Sequence, residues 1–352
     1  MVAESLALAN DSVHVWAPQY DRHHASHGRV ELHRVPGHFG PVSLSIITRA
    51  IKARPGAVLL QYVPHAFGFK AMNLPFCLWL NFIRQFSLVV MFHEVAFPRS
   101  REQPFRHNLL ASMNRFMARL VCRSATKIMV SSQRWEKLLR QLGTAVPISW
   151  VPVPSTIPVT PDVTASMTLR QKYASSKGLL IGHFANYCDY SVAHLSRIAP
   201  SLLREHTELA FLLLGAKSDD LRRHLLTTNP DLSGRVHATG ALTARDLSSA
   251  LGACDLMVQP YPDGVSTRRS STSVLLAHGC AVVTTEGIST EKLWSDSSAV
   301  SMVPVNNDDG LRRQISEMIS SRATRERYQR AAQSLYNRRF ALRHTIAALA
   351  LT

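Results

Sequence analysis

Short apolar runs rich in β-branched residues alternate with amphipathic stretches along almost the whole chain. Four prolines in the eleven residues Val151 to Pro161 break that alternation once. Alternating strand and helix signals mark a parallel sheet covered on both faces, because parallel strands need helical crossovers to return the chain. Prolines at that density forbid a helix and favour an extended connector. The 352 residues therefore read as two doubly wound α/β domains: 1–150, a Pro-rich linker 151–165, and 166–321, followed by basic helices over 322–352. In such sheets ligands bind outside the carboxyl ends of the strands, and two such domains are expected to face each other across a cleft.

In the first half the spacing predicts strands near Ser12–Ala17, Arg29–Val35, Ala57–Tyr62, Ser87–Phe92 and Ala125–Ser131. Helices are expected near Val42–Ala53, Met72–Gln85, Phe105–Arg123 and Gln133–Leu142. The second half restarts with strands at Leu179–Phe184, Leu209–Leu214, Arg235–Ala238, Asp255–Gln259, Ala281–Thr285 and Ala299–Val303. Helices lie between them near 191–205, 218–227, 243–252, 268–279 and 307–320.

Composition narrows the function classes. The 40 Lys and Arg against 24 Asp and Glu give +16, which attracts phosphorylated ligands, polyanions and anionic membranes. The charge is spread along the chain without a basic tail or a nucleic-acid motif, so nucleic acid is not the expected partner. Five scattered cysteines contain no CxxC pair, and the histidines show no HExxH spacing, so no metal site is expected. No signal-peptide pattern opens the chain. Met72 to Phe92 is interrupted by Pro75, Asn81, Arg84 and Gln85, unlike a membrane span. A cytoplasmic location follows, at the inner membrane face if an acceptor lies there.

The stretch Gln259-Pro-Tyr-Pro-Asp-Gly-Val-Ser-Thr-Arg-Arg269 and its continuation to Thr285 carries most of the chemistry. It reads as strand, Pro/Gly loop, helix, Gly turn and strand. Ser266 or Thr267 is expected as the helix N-cap, with Arg268 and Arg269 on the first turn. Arginines there oppose the helix dipole unless an anion is bound, so this is a candidate diphosphate site. The bland alternative is an ordinary βαβ unit with solvated arginines.

Taken in order, Phe-Leu-Leu-Leu-Gly215, Ala-Thr-Gly240, Ala-Cys-Asp255-Leu-Met-Val-Gln-Pro-Tyr261 and Ala-His-Gly279-Cys-Ala-Val-Val-Thr-Thr285 resemble the donor domain of family 4 glycosyltransferases. The resemblance extends from about Asp11 to the last helix. It implies the two-Rossmann-domain (GT-B) fold and retaining, metal-independent transfer from a nucleotide diphosphate sugar, with no other cofactor. The acceptor would be a glycan, a lipid-linked group or a small molecule. Positions where the family carries a Glu pair read here as Ser266 and Val274. Asp263, Glu286 and Glu291 are the nearest carboxylates, and Gly264 forms the turn beside Asp263. His183 and the loop Ala185–Tyr190 stand where many members carry an Arg/Lys pair. The resemblance also places His93 at a strand end facing the reacting sugar, with Glu94 orienting its ring or capping the loop. The loop Gln61–Gly68 is suited to acceptor contacts.

Two further expectations follow. The helix Phe105–Arg123 has an apolar stripe with arginines around it; it either touches an anionic membrane or packs on the sheet with a solvated basic edge. The family normally begins with a strand and a Gly-rich loop, whereas the first glycine here is Gly28. The expected consequence is an incomplete first sheet, from an upstream start or a degraded chain. The rival to an active enzyme is a catalytically impaired relative or truncated fragment that only binds the sugar nucleotide.

Overall fold

The computed structural model describes residues 1–9, 12–18, 29–54, 56–160, 162–176 and 178–349. Gly28 and Pro161, used above, lie outside them. The chain divides into one unit of residues 1–152 with 342–352 and another of residues 153–341.

The first unit contains α1 (Val2–Ala9), β1 (Val13–Pro18), β2 (Val30–Val35), α2 (Pro41–Ala53), β3 (Val58–Tyr62), α3 (Leu74–Trp79), β4 (Leu88–Phe92), α4 (Phe105–Ser124), β5 (Lys127–Val130), α5 (Gln133–Gln141) and β6 (Ile148–Trp150). All strand pairs are parallel. The strands form two sheets, β1-β2 and β3-β4-β5-β6. Among the described residues β2 is the only strand paired to β1.

β4 is buried along its whole length because helices cover both its faces. Leu88, Val90 and Phe92 join a core with residues of α2, α3 and α4. Val89 and Met91 pack with Val2 and Leu6 of α1 and with Ala348 and Leu349 near the C-terminus. From the α4 stripe Met117 and Leu120 are buried in this core, while Phe105, Leu109 and Phe116 stay exposed.

The second unit contains α6 (Val163–Tyr173), β7 (Leu179–Phe184), α7 (Asp189–Glu205), β8 (Leu209–Leu214), α8 (Ser218–Thr228), β9 (Val236–Ala238), α9 (Ala244–Ala253), β10 (Leu256–Gln259), α10 (Ser270–Ala277), β11 (Val282–Glu286), α11 (Lys292–Ser297), β12 (Ser301–Pro304), α12 (Asp308–Ser320) and α13 (Arg322–Leu335). Its parallel sheet runs β12-β11-β10-β7-β8-β9. One face carries Leu180, Leu212, Met257 and Val282 against α9, α10 and α13. The other carries Ile181, Phe211, Val258 and Val283 against α7, α8 and α12. Alternate residues of each strand serve opposite layers, as a doubly wound sheet requires.

Two differences from the sequence reading stand out. Residues expected as the end of the linker form α6, capped by Asp162, whose carboxylate accepts from the Ala165 amide at 3.0 Å. Ser166 Oγ then donates to the Ser249 carbonyl at 2.9 Å, fixing α6 on α9. The basic C-terminal helices are not one appendage: α13 packs in the second unit, while the last helix, α14 (Leu342–Leu349), belongs to the first.

Candidate functional site

Strand order reverses at β7 and β10. From β7 the sheet grows through β8 to β9, and from β10 through β11 to β12. Loops leaving these two neighbouring strands diverge, which opens a crevice at their carboxyl ends. Gln259 spans the two strands there: its Oε1 accepts from the Phe184 amide at 3.3 Å and its Nε2 donates to the Phe184 carbonyl at 3.0 Å.

The loop after β10 is built around Asp263. Its carboxylate accepts from Arg268 at 3.1 Å, from Arg269, and from Ser289 Oγ at 2.8 Å. Burial alone would raise the Asp263 carboxyl, but the charge of Arg269, the Ser289 hydroxyl and Arg268 outweigh it and hold the group below its ordinary value. Arg269 also stacks over the Tyr261 ring, 4.6 Å from its centroid. Both guanidiniums are therefore positioned before any ligand arrives, and one of their two charges is left uncompensated by Asp263. Gly264 permits this loop: its φ is +87°, and a Cβ would lie 2.3 Å from the Gly287 amide nitrogen.

α10 begins at Ser270, so neither Ser266 nor Thr267 caps it. Arg269 occupies the cap position without a side-chain cap bond. Thr267 is engaged otherwise, donating its amide and hydroxyl to Glu291, the latter at 2.8 Å. Glu291 is buried and also accepts from Trp294 Nε1 at 2.9 Å, so it ties α11 to the loop. Ser266 is fully buried with an unpartnered hydroxyl, and Arg269 keeps an unpartnered Nε. Glu286 ends β11 exposed to solvent. Val274, at the second position of the expected Glu pair, is buried in the core.

Beside this loop lies a set of polar groups that sequence reasoning missed in part. Tyr190 stacks on His194, with centroids 5.5 Å apart, and His194 Nδ1 is 3.5 Å from Asp308 Oδ1. The Tyr190 hydroxyl, His194 Nε2, Asp308 Oδ1 and both ring nitrogens of His183 are buried without a hydrogen-bond partner among the described residues. Burial, then the Asp308 charge, pushes the Tyr190 phenol up, with Asp263 and Arg269 also acting on it. Burial and the neighbouring His194 push His183 down to about 3. His183 is thus a neutral, fully enclosed ring 5.3 Å from Tyr187, rather than a group open to solvent. His194 and Asp308 come from α7 and α12, with no local motif to announce either.

In the first unit, His93 follows β4. Its Nε2 meets Gln61 Oε1 of β3 at 2.6 Å, and its carbonyl accepts from Trp135 Nε1 at 2.9 Å and Ser131 Oγ at 3.1 Å. Burial lowers its pKa. Gln61, expected only as part of an acceptor loop, holds the imidazole; the Glu94 amide faces the Tyr62 carbonyl at 3.5 Å.

Two Rossmann-like units with these sheet orders and this strand-end crevice define the fold of the GT-B glycosyltransferases. Residues 177–321, all within the second unit, match the family described as glycosyl transferases group 1. Among solved structures, sucrose-phosphate synthase from Thermosynechococcus elongatus is similar at TM-score 0.74 and 14% identity, over 99% of this chain and 90% of that one. A glycosyltransferase from Rickettsia africae is similar at 0.70 and 14%, over 100% and 94%. Anabaena HepE, solved with UDP-glucose, is similar at 0.66 and 16%, over 92% and 85%. No curated protein matches the chain. No helix among the described residues is long and apolar enough to cross a membrane.

Proposed function

We propose that the chain is a glycosyltransferase that moves a sugar from a nucleotide diphosphate sugar to an acceptor, with retention at the anomeric carbon. The β10–α10 loop grips the diphosphate. The observation that carries this reading is the pair of preset guanidiniums at an uncapped helix N-terminus, beside the buried, unpartnered Arg269 Nε and Ser266 hydroxyl. Buried donors left without acceptors are costly, and an anion would satisfy them. As the bond from the anomeric carbon to the diphosphate oxygen lengthens, negative charge collects on the leaving group. Donors fixed in advance stabilise that charge without reorganising. Side chains and helix amides supply the positive charge, which supports transfer without a metal ion. Retention rests on the group 1 match and on the resemblance of residues 209–285 to retaining enzymes. A uridine nucleotide is the first donor to try, because HepE was solved with UDP-glucose. His93, held by Gln61, is assigned to the reacting sugar on the acceptor side. The acceptor is a glycan, a lipid-linked group or a small molecule, and the exposed Phe105, Leu109 and Phe116 of α4 favour one presented at a membrane surface.

A second reading, a relative that binds donor without transfer, is favoured by one observation. Ser266 and Val274 replace the expected carboxylates, and Glu291 is committed to Thr267 and Trp294. Calorimetry with UDP and release of UDP from UDP-sugars, in chelator, separate the two. Arg269→Ala is expected to weaken UDP binding by about 1.5–3 kcal/mol, the range for a hydrogen bond to a charged group. His93→Ala is expected to lower turnover and leave UDP affinity unchanged. Unaltered UDP affinity in both Arg268→Ala and Arg269→Ala ends the diphosphate assignment. Tight UDP binding without turnover of any UDP-sugar favours the second reading.

A further inference from the structure

Strands β1 and β2 carry a cluster of side chains outside the candidate site described above. In the parallel register His14 stands opposite Glu31 and Trp16 opposite His33. Residues two apart on a strand share a face, so these four side chains project from one side of the two-stranded sheet. His14 Nδ1 is 2.9 Å from His33 Nε2 and 3.3 Å from Glu31 Oε2. The remaining edge, His33 Nε2 to Glu31 Oε2, is 3.7 Å.

Those three distances resemble a coordination triangle. Ligand atoms about 2.0–2.2 Å from one tetrahedral ion stand about 3.3 Å from each other, and the observed edges bracket that value. A histidine–histidine hydrogen bond accounts for one edge only. It leaves the carboxylate oxygen close to both nitrogens, although a neutral pair places at most one hydrogen between the two rings. Trp16 stacks on the His33 ring at 4.2 Å and 14°, which fixes the ring's plane. Glu31 is 60% exposed, so an ion reaches the cluster from solvent. Arg54 lies 4.0 Å from Glu31.

We propose that His14, Glu31 and His33 form a binding site for a divalent ion of the zinc class, with solvent completing a fourth position. Two imidazoles and one carboxylate suit Zn²⁺, Co²⁺ or Ni²⁺ better than Mg²⁺ or Ca²⁺, which prefer all-oxygen sets. The ligands come from both strands, so the ion clamps β1 to β2. That pair has no third strand among the described residues, and isolated two-stranded sheets are only marginally stable. Sequence spacing hides the site, because its ligands lie on two strands that meet only in the fold.

The test uses the full chain stripped with chelator and titrated with Zn²⁺, read by calorimetry and by amide exchange. One equivalent of Zn²⁺ is expected to bind, to raise the melting temperature, and to slow exchange within 13–18 and 30–35. His14→Ala, His33→Ala and Glu31→Gln should each weaken Zn²⁺ binding at least about tenfold, and His224→Ala should not. Arg54→Ala, which keeps every ligand, should tighten binding, so a folding defect in the ligand variants cannot mimic the result. Co²⁺ bound to the unaltered chain should give the intense visible absorption of a four-coordinate site. The proposal is overturned by absence of stoichiometric binding. It is equally overturned by unchanged affinity in the His14→Ala/His33→Ala double variant, or by slowed exchange appearing elsewhere in the chain.

Discussion

Asp263 and His183 show two ways in which burial sets the charge of a single residue. Asp263 stays ionised although partly buried, because Arg269, Ser289 and Arg268 meet it. His183 has no such partner and is held neutral, down to about 3. A histidine whose folded pKa lies below its unfolded value near 6.5 takes up a proton on unfolding as the pH falls, so it destabilises the fold progressively below 6.5. At one and a half units below that value the loss is about 2 kcal/mol, from about 1.36 kcal/mol per unit. Urea unfolding at pH 7 and pH 5 should therefore show a smaller drop for His183→Leu than for the unaltered protein, by about that amount. Equal drops in the two proteins would mean that His183 is not enclosed as described.

Loops at strand ends position the candidate site, and one close approach among them is the contact between residues 263–264 and 287–290. Gly264 has a left-handed φ of +87°, and an added Cβ would fall 2.3 Å from both the Gly287 nitrogen and Thr290 Oγ1. Both objections apply at once, so Gly264→Ala should cost about 1–3 kcal/mol from strain alone and weaken UDP binding by displacing Asp263. Gly234→Ala, where a Cβ meets nothing within 4 Å, is the control and should be close to neutral. A Gly264→Ala protein with unaltered stability and UDP affinity would show that this contact does not position the arginines.

Residues 153–341 form one continuous segment with its own core on both sheet faces, whereas the first unit is assembled from two separate stretches of chain. Each of Asp263, Arg268, Arg269, Tyr190, His194 and Asp308 lies in the continuous unit. Produced alone, residues 153–341 should unfold cooperatively and bind UDP within about tenfold of the whole chain, a difference of no more than about 1.4 kcal/mol. Sugar transfer should be absent, because His93 and Gln61 lie in the other unit. Failure of this segment to bind UDP, while folded, would place part of the donor site elsewhere.

The amino-acid order by itself determined the two α/β units, the Pro-rich break over 151–165, the strand-end position of His93 and the single loop that carries Asp263, Arg268 and Arg269. Those features rest on periodicity, proline content and contiguous loops, which are local and therefore readable along the chain. Only the tertiary structure decided that Asp263 accepts from both arginines, that Glu291 holds Thr267 and Trp294, and that α10 starts uncapped at Ser270. It alone brought His194 and Asp308 to Tyr190, Gln61 to His93, and His14 to Glu31 and His33. The physical reason is the same in each case. These partners sit on different elements, and side-chain chemistry between them depends on strand register and helix packing, which no spacing in the sequence encodes.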